Sequence, residues 1–219
     1  MTIQREIDQE INCASCQAKI DLEKYLKAHK VCPVCNHHGI MGAEERLNLI
    51  VDAGTFIEHD TELYSVNTLG FPGYETKLDR DTKKTGRPYE LLSGTGQIGK
   101  HDVALSIGDV SFIGGTMGAV AGEKLTRTIE YATKNKLPLI TIAVSGGMRM
   151  QEGTLALMQM QKTAAACTRH SKAGLFYISV ATDPTYGGAT ASFVSLGHIV
   201  IAEPNARIGF AGPRAVASI

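Results

Sequence analysis

Residues 137–188 read LPLITIAVSGGMRMQEGTLALMQMQKTAAACTRHSKAGLFYISVATDPTYGG, and this stretch decides the fold. Leu137 to Ser145 is apolar and rich in β-branched residues. It is far too short to span a bilayer, so it reads as a buried strand. Gly146-Gly147 breaks the run. Residues 150–171 predict a helix, and residues 175–182 predict a second strand. Strand, helix and strand at this spacing argue an α/β fold with largely parallel pairing.

The pattern extends in both directions. Residues 102–110 (DVALSIGDV) and 111–115 (SFIGG) read as strands, and residues 123–136 as a helix with Leu125, Ile129 and Ala132 inward. Towards the C-terminus, residues 188–197 (GATASFVSLG) predict the start of a helix. Residues 198–204 and 206–212 predict strands. Residues 42–54 (GAEERLNLIVDAG) predict a short amphipathic helix with Leu47, Ile50 and Val51 on one face, stopped by Gly54. Residues 70–88 are rich in Gly, Pro and charge and read as an exposed connection.

Composition narrows the function classes. Lys+Arg and Asp+Glu balance at 22 each, which argues against a nucleic-acid-binding surface. The N-terminal MTIQREIDQEIN is polar and lacks the apolar stretch of a signal peptide. A cytoplasmic protein without a membrane span is expected, with reduced cysteines that serve as metal ligands before disulfides.

Four of the five cysteines lie within residues 1–39. Cys13-x2-Cys16 and Cys32-x2-Cys35 are separated by fifteen residues. Each such turn directs two thiolates to one point, and the intervening ribbon brings the turns together. The spacing predicts a tetrahedral Zn2+ site in a ribbon over residues 1–39, with residues 40–219 forming the core domain. Four thiolates leave no open position, so the metal is expected to be structural. His37 and His38 then read as turn residues, and Cys167 as core.

Glycine pairs end three apolar runs, at Gly114-Gly115, Gly146-Gly147 and Gly187-Gly188. Glycine lets backbone N–H groups approach a ligand oxygen closely. A following helix start adds partial positive charge. The second and third turns side by side would supply converging donors for a thioester enolate, with Gly146, Gly147, Gly187 and Gly188 as the candidate catalytic positions. For any one such pair taken alone, tight strand-to-helix packing without a ligand is the favoured explanation. The P-loop spacing and GxGxxG are absent, and no GxSxG nucleophile motif is present. His101, His170 and His198 are scattered and read as structural.

Longer motifs add a resemblance. They are the four-cysteine ribbon ending in CNHHG, ERLNLIVDAGTF (45–56), FIGGTMGAVAGEK (112–124), SGGMRMQEGTLALMQMQKT (145–163), YISVATDPTYGGATASFVSLG (177–197) and IVIAEPNARIGFAGPR (199–214). In this order they resemble the carboxyltransferase beta subunit of bacterial acetyl-CoA carboxylase along almost the whole chain. The resemblance implies a crotonase-type core of stacked β–β–α units behind an N-terminal zinc ribbon. It implies transfer of CO2 from carboxybiotin, carried on a biotin carboxyl carrier protein, to acetyl-CoA or a related acyl-CoA, giving malonyl-CoA. It also implies an alpha-type carboxyltransferase subunit that completes the site in a hetero-oligomer.

Two departures stand out. The sequence ends at Ile219, where family members usually continue with helices that help to build the subunit interface, so little activity is expected of the chain alone. Met148 stands where the family usually has alanine, which would reshape the acyl pocket and fits a pathway-specific paralogue. Two other readings stay open at this point. One is a malonyl-thioester decarboxylase that uses the same enolate stabilisation without biotin. The other is a non-catalytic zinc-ribbon binding or regulatory protein, for which Lys19, Lys24, Lys27 and Lys30 give the ribbon a local basic bias.

Overall fold

The computed structural model describes residues 10–212, 216 and 217. Residues 1–9 of the expected ribbon, and Pro213 and Arg214 of the last quoted motif, lie outside these. The chain divides into two compact units, Met1–Met41 and Gly42–Ile219.

In the first unit, β1 (Glu10–Asn12) and β2 (Lys19–Asp21) pair antiparallel, and α1 (Leu22–Lys27) follows. Asp21 caps α1 by accepting the Lys24 N–H at 2.8 Å, which satisfies one of the orphan donors at a helix start. The core here is very small: Cys13, Ile20 and Cys32, with Ile11, Tyr25 and Cys35 against them. Three of those six residues are cysteines, so the unit has little apolar material of its own.

The second unit is built on one mixed sheet. Its elements are α2 (Ala43–Ile50), β3 (Ile57–Glu58), α3 (Tyr74–Thr85), β4 (Leu91–Ile98), β5 (His101–Gly108), α4 (Ala119–Asn135), β6 (Leu139–Ser145), α5 (Gly153–Lys172), β7 (Tyr177–Tyr186), β8 (Ile199–Ala202) and β9 (Ile208–Gly209). The sheet order is β3-β4-β5-β6-β7-β8, with β9 pairing β7. From β5 to β8 the pairing is parallel, whereas β3, β4 and β5 are antiparallel. The core is therefore α/β with parallel strands at its centre.

One face of the sheet is covered by α4, with α5 packed on α4. Leu125, Ile129 and Ala132 point inward, as the helical periodicity predicted, and meet Leu139, Ala143, Tyr177 and Ala181. The other face carries α2, whose Leu47 and Ile50 pack on Leu92, Val103, Leu105 and Ile142, with Val51 just past the helix end.

Several elements differ from the sequence expectation. Residues 74–85 form a helix, where an exposed connection was expected. Tyr74, Leu78 and Asp81 recur at helical spacing and are buried, and Gly73 and Gly86 bracket them in left-handed conformations. Residues 91–98 form β4 despite Gly94 and Gly96. SFIGG is a 3₁₀ turn over Ile113–Gly115 and not a strand. GATASFVSLG forms turns and one short 3₁₀ segment, Val194–Leu196, and not a helix.

Candidate functional site

The cysteines form the first site. All four Sγ atoms lie within 4.8 Å of one another. Cys13 Sγ is 3.7 Å from Cys35 Sγ, and Cys16 Sγ is 3.8 Å from Cys32 Sγ. Tetrahedral coordination with zinc–sulfur bonds of about 2.3 Å sets the sulfur–sulfur distance at about 3.8 Å, so the set fits Zn2+.

The two knuckles are built alike. Gln17 N–H donates to Cys13 O at 3.0 Å, and Asn36 N–H donates to Cys32 O at 2.9 Å. Gln17 and Asn36 both turn the chain through positive φ, 59° and 57°. The Cys13 thiol is lowered to about 6, first by the Cys16 backbone N–H and then by that of Ser15, against the effect of burial. Against the Ala18 backbone N–H, the neighbouring Cys16 thiol is raised to about 12 by the crowding of the other thiols, so the sulfurs titrate as a set and their geometry carries the assignment.

One zinc per chain is expected from metal analysis of freshly purified protein. Cys16→Ser should lose that zinc and the fold of the first unit, because metal affinity there is folding free energy. The far-UV signal of the second unit should persist. Metal-free fresh protein with four freely titrating thiols would overturn the assignment.

The glycine turns form the second site. Ser145 ends β6 and pairs in register with Thr185 near the end of β7, so the two following turns lie side by side at the carboxyl ends of parallel strands. A Cβ built on Gly187 would stand 3.1 Å from Gly147 Cα. The turn after β5 buttresses them. Gly146 N–H donates to Gly114 O at 3.0 Å. Met117 N–H donates to Gly147 O, and Arg149 N–H donates back to Met117 O, each at 2.9 Å. Carboxyl ends of parallel strands are where open α/β sheets bind ligands.

Counting backbone donors refines the sequence picture. The Gly146 N–H is taken by Gly114 O, the Gly147 N–H by Ser145 Oγ at 3.0 Å, and the Gly187 N–H by Gly209 O at 3.1 Å. Three of the four candidate positions thus spend their donors inside the chain. Among the described residues, the N–H groups of Met148 and Gly188 donate no hydrogen bond within the chain. Gly188 is buried and Met148 half-buried. Both turns therefore hold uncommitted donors, at Met148 in one and at Gly188, followed by Ala189 and Thr190, in the other.

Beneath them lies a charged cluster that the sequence did not reveal. Arg149 is fully buried. Its Nε donates to Thr116 Oγ1 at 2.6 Å, its Nη1 to Tyr74 Oη at 2.9 Å, and its Nη2 to Thr116 O at 2.5 Å. Glu90 Oε1 lies 2.9 Å from Nη2, and Glu152 Oε1 lies 3.6 Å from Nη1. Tyr74 Oη donates to Glu152 Oε1 at 2.6 Å, and burial pushes the Tyr74 phenol up.

Two carboxylates against one guanidinium leave one negative charge over. The N-terminus of α4 offsets it: Gly118 N–H donates to Glu90 at 2.8 Å and Ala119 N–H to Glu152 at 2.6 Å. The cluster ties the turn after β5, the turn after β6 and the starts of α3 and α4 together. Only the Arg149-x2-Glu152 pair was local enough to notice in the sequence.

A family model described as carboxyl transferase domain matches residues 36–219. The acetyl-coenzyme A carboxylase carboxyl transferase subunit beta of Desulforamulus reducens is 47% identical over 206 residues, covering 94% of this chain and 72% of its own length. The protein of that name from Desulforudis audaxviator is 52% identical over 196 residues, covering 90% and 70%. Among solved structures, a transcarboxylase 12S with hydrolysed methylmalonyl-coenzyme A bound superposes with a TM-score of 0.71 at 26% identity. That match covers 90% of this chain and 35% of the other. Matched by that model over most of its length and about half identical to these relatives, the chain belongs to the carboxyl transferase family, among the beta subunits of acetyl-coenzyme A carboxylase.

Proposed function

We propose that this chain is the acyl-CoA-binding subunit of a biotin-dependent carboxyltransferase that converts acetyl-CoA to malonyl-CoA. The observation that carries the reading is the pair of abutting turns, with uncommitted N–H groups at Met148 in one and at Gly188 in the other. The acetyl thioester loses a methyl proton, and its carbonyl oxygen gains negative charge as the enolate forms. Two oriented N–H groups stabilise that oxygen, and each such donor is worth about 3–4 kcal/mol in the transition state.

Carboxybiotin, as co-substrate, would supply both the CO2 and, once that CO2 has left, the ureido nitrogen that takes the methyl proton, and the enolate carbon would then take up the CO2. No protein base is needed, which suits a site without a catalytic triad. Ser145 contributes by holding the Gly147 peptide, accepting its N–H at 3.0 Å and donating to its carbonyl at 3.2 Å.

The active protein is a cytoplasmic hetero-oligomer with an alpha-type subunit that presents the biotin carboxyl carrier protein. Edge strand β8 leaves apolar surface uncovered by the described residues. Its apolar Ile199, Val200 and Ile201 are 48%, 51% and 48% exposed, although apolar runs in parallel sheets are normally covered on both faces. No helix among the described residues is long and apolar enough to cross a membrane.

The test is copurification with candidate alpha-type subunits, followed by a malonyl-CoA assay with carboxylated carrier protein. The chain alone should give little or no product, and the complex should turn over. Robust malonyl-CoA formation by the isolated chain would contradict the shared site. Loss of CO2 from malonyl-CoA without biotin, and no carboxylation by any complex, would favour a decarboxylase.

A further inference from the structure

We propose that the Met148 side chain, backed by Met160, limits the acyl group that this site accepts and holds it to acetyl size. The inference rests on the two turns being the thioester site. A Cβ built on Gly188 would stand 2.2 Å from Met148 Sδ and 2.7 Å from its Cγ, and 2.8 Å from Met160 Sδ. Both thioethers therefore lie directly against the Gly188 α-carbon. Met148 comes from the turn after β6, and Met160 from α5. Met148 also packs on the core cluster that includes Ala189 and Phe193, so it is held from behind.

The same two residues, 148 and 188, carry uncommitted N–H groups. A carbonyl oxygen bound to both donors sits about 2.9 Å from each nitrogen. It is then bonded to the backbone on either side of the Met148 thioether. The acyl carbons leave the carbonyl within reach of that side chain, and chain length becomes a question of the space it leaves. One extra methylene in a snug apolar pocket changes discrimination by roughly 10–200-fold. Methionine is flexible and yields more than a branched residue, so the low end of that range applies.

The experiment uses the complex with its alpha-type subunit and carboxylated carrier protein. It compares kcat/KM for acetyl-CoA, propionyl-CoA and butyryl-CoA. Wild type should favour acetyl-CoA over butyryl-CoA by at least about 10-fold. Met148→Ala should lower that ratio by about 10-fold or more, and Met160→Ala should move it in the same sense by less. Met158 is 59% exposed on α5, and Met158→Ala should leave the ratio at the wild-type value.

A second readout is the affinity of the uncomplexed chain for butyryl-CoA, which should rise in Met148→Ala. If Met148→Ala does not fold, the Met160→Ala ratio decides. Unchanged ratios in a complex that still makes malonyl-CoA would overturn the role of Met148 and leave the carboxyltransferase reading standing. A wild-type complex that carboxylates no acyl-CoA would defeat that reading instead.

Discussion

Arg149→Met should destabilise the second unit by about 3–5 kcal/mol, because it strands two buried carboxylates. Glu90 is 3% exposed and Glu152 5%, so neither can turn to water for relief. The α4 N-terminus would still meet each through one N–H, but the guanidinium that balances their charge would be gone. A domain is typically stable by only 5–15 kcal/mol, so the loss takes a large part of that margin. Urea denaturation of zinc-loaded protein measures it. Arg149→Lys should recover only part, since an ammonium cannot make the fork of bonds to Thr116, Tyr74 and Glu90 at once. An unfolding free energy for Arg149→Met within about 0.5 kcal/mol of wild type would show that the cluster does not hold this end of the sheet.

Gly188→Val should fold, keep zinc, and lose turnover by at least about 10²-fold in the complex. Its backbone does not lie at positive φ, but the added Cβ would stand 2.2 Å from Met148 Sδ, 2.7 Å from its Cγ and 2.8 Å from Met160 Sδ, so both methionines must shift and a thermal melt is read beside the turnover. The branched side chain would then occupy the approach to the Gly188 N–H.

Gly147→Val is a different experiment. Gly147 has φ of +110°, which a β-branched residue resists at a cost of about 1–3 kcal/mol, so stability and turnover should fall together. Gly115→Val serves as the comparison. It combines φ of +64° with a Cβ 2.9 Å from Val144 O, and should lose activity only as its folded fraction falls. Thermal melts and kcat with the correct partner separate the three. Wild-type turnover in well-folded Gly188→Val would sink the proposed site.

The parallel centre of the sheet was legible because β6 is a short apolar run rich in β-branched residues, α5 is a long stretch without proline, and Gly146-Gly147 parts them. The zinc knuckles were legible because their ligand spacing is itself the geometry. α3 was missed because polar, charged residues dominate it, and its buried positions include Asp81, which a hydrophobic pattern does not count.

β4 was missed because glycine is a poor strand former. The structure gives the reason for both glycines. A Cβ on Gly94 would stand 2.0 Å from Ile57 O, and one on Gly96 would stand 2.9 Å from Val51 Cγ1. The glycine turns were legible as turns, but not which of their N–H groups remain uncommitted. That depends on acceptors such as Gly114 O and Gly209 O, which are remote in sequence.

The strap between Met117 and the turn after β6 has one more consequence. Met117 bonds the residues on either side of Met148, in the manner of a parallel bridge. In such a bridge the middle residue turns its own N–H and C=O away from the partner strand. The direction of the Met148 amide is thus set by its neighbours' backbone and owes nothing to its side chain. Mutation can change the size of residue 148 and leave the donor pointing where it does. On the proposed reading of the site, the size of the acyl pocket and the donor to the enolate oxygen are then separable features of one residue, the first set by its side chain and the second by its backbone.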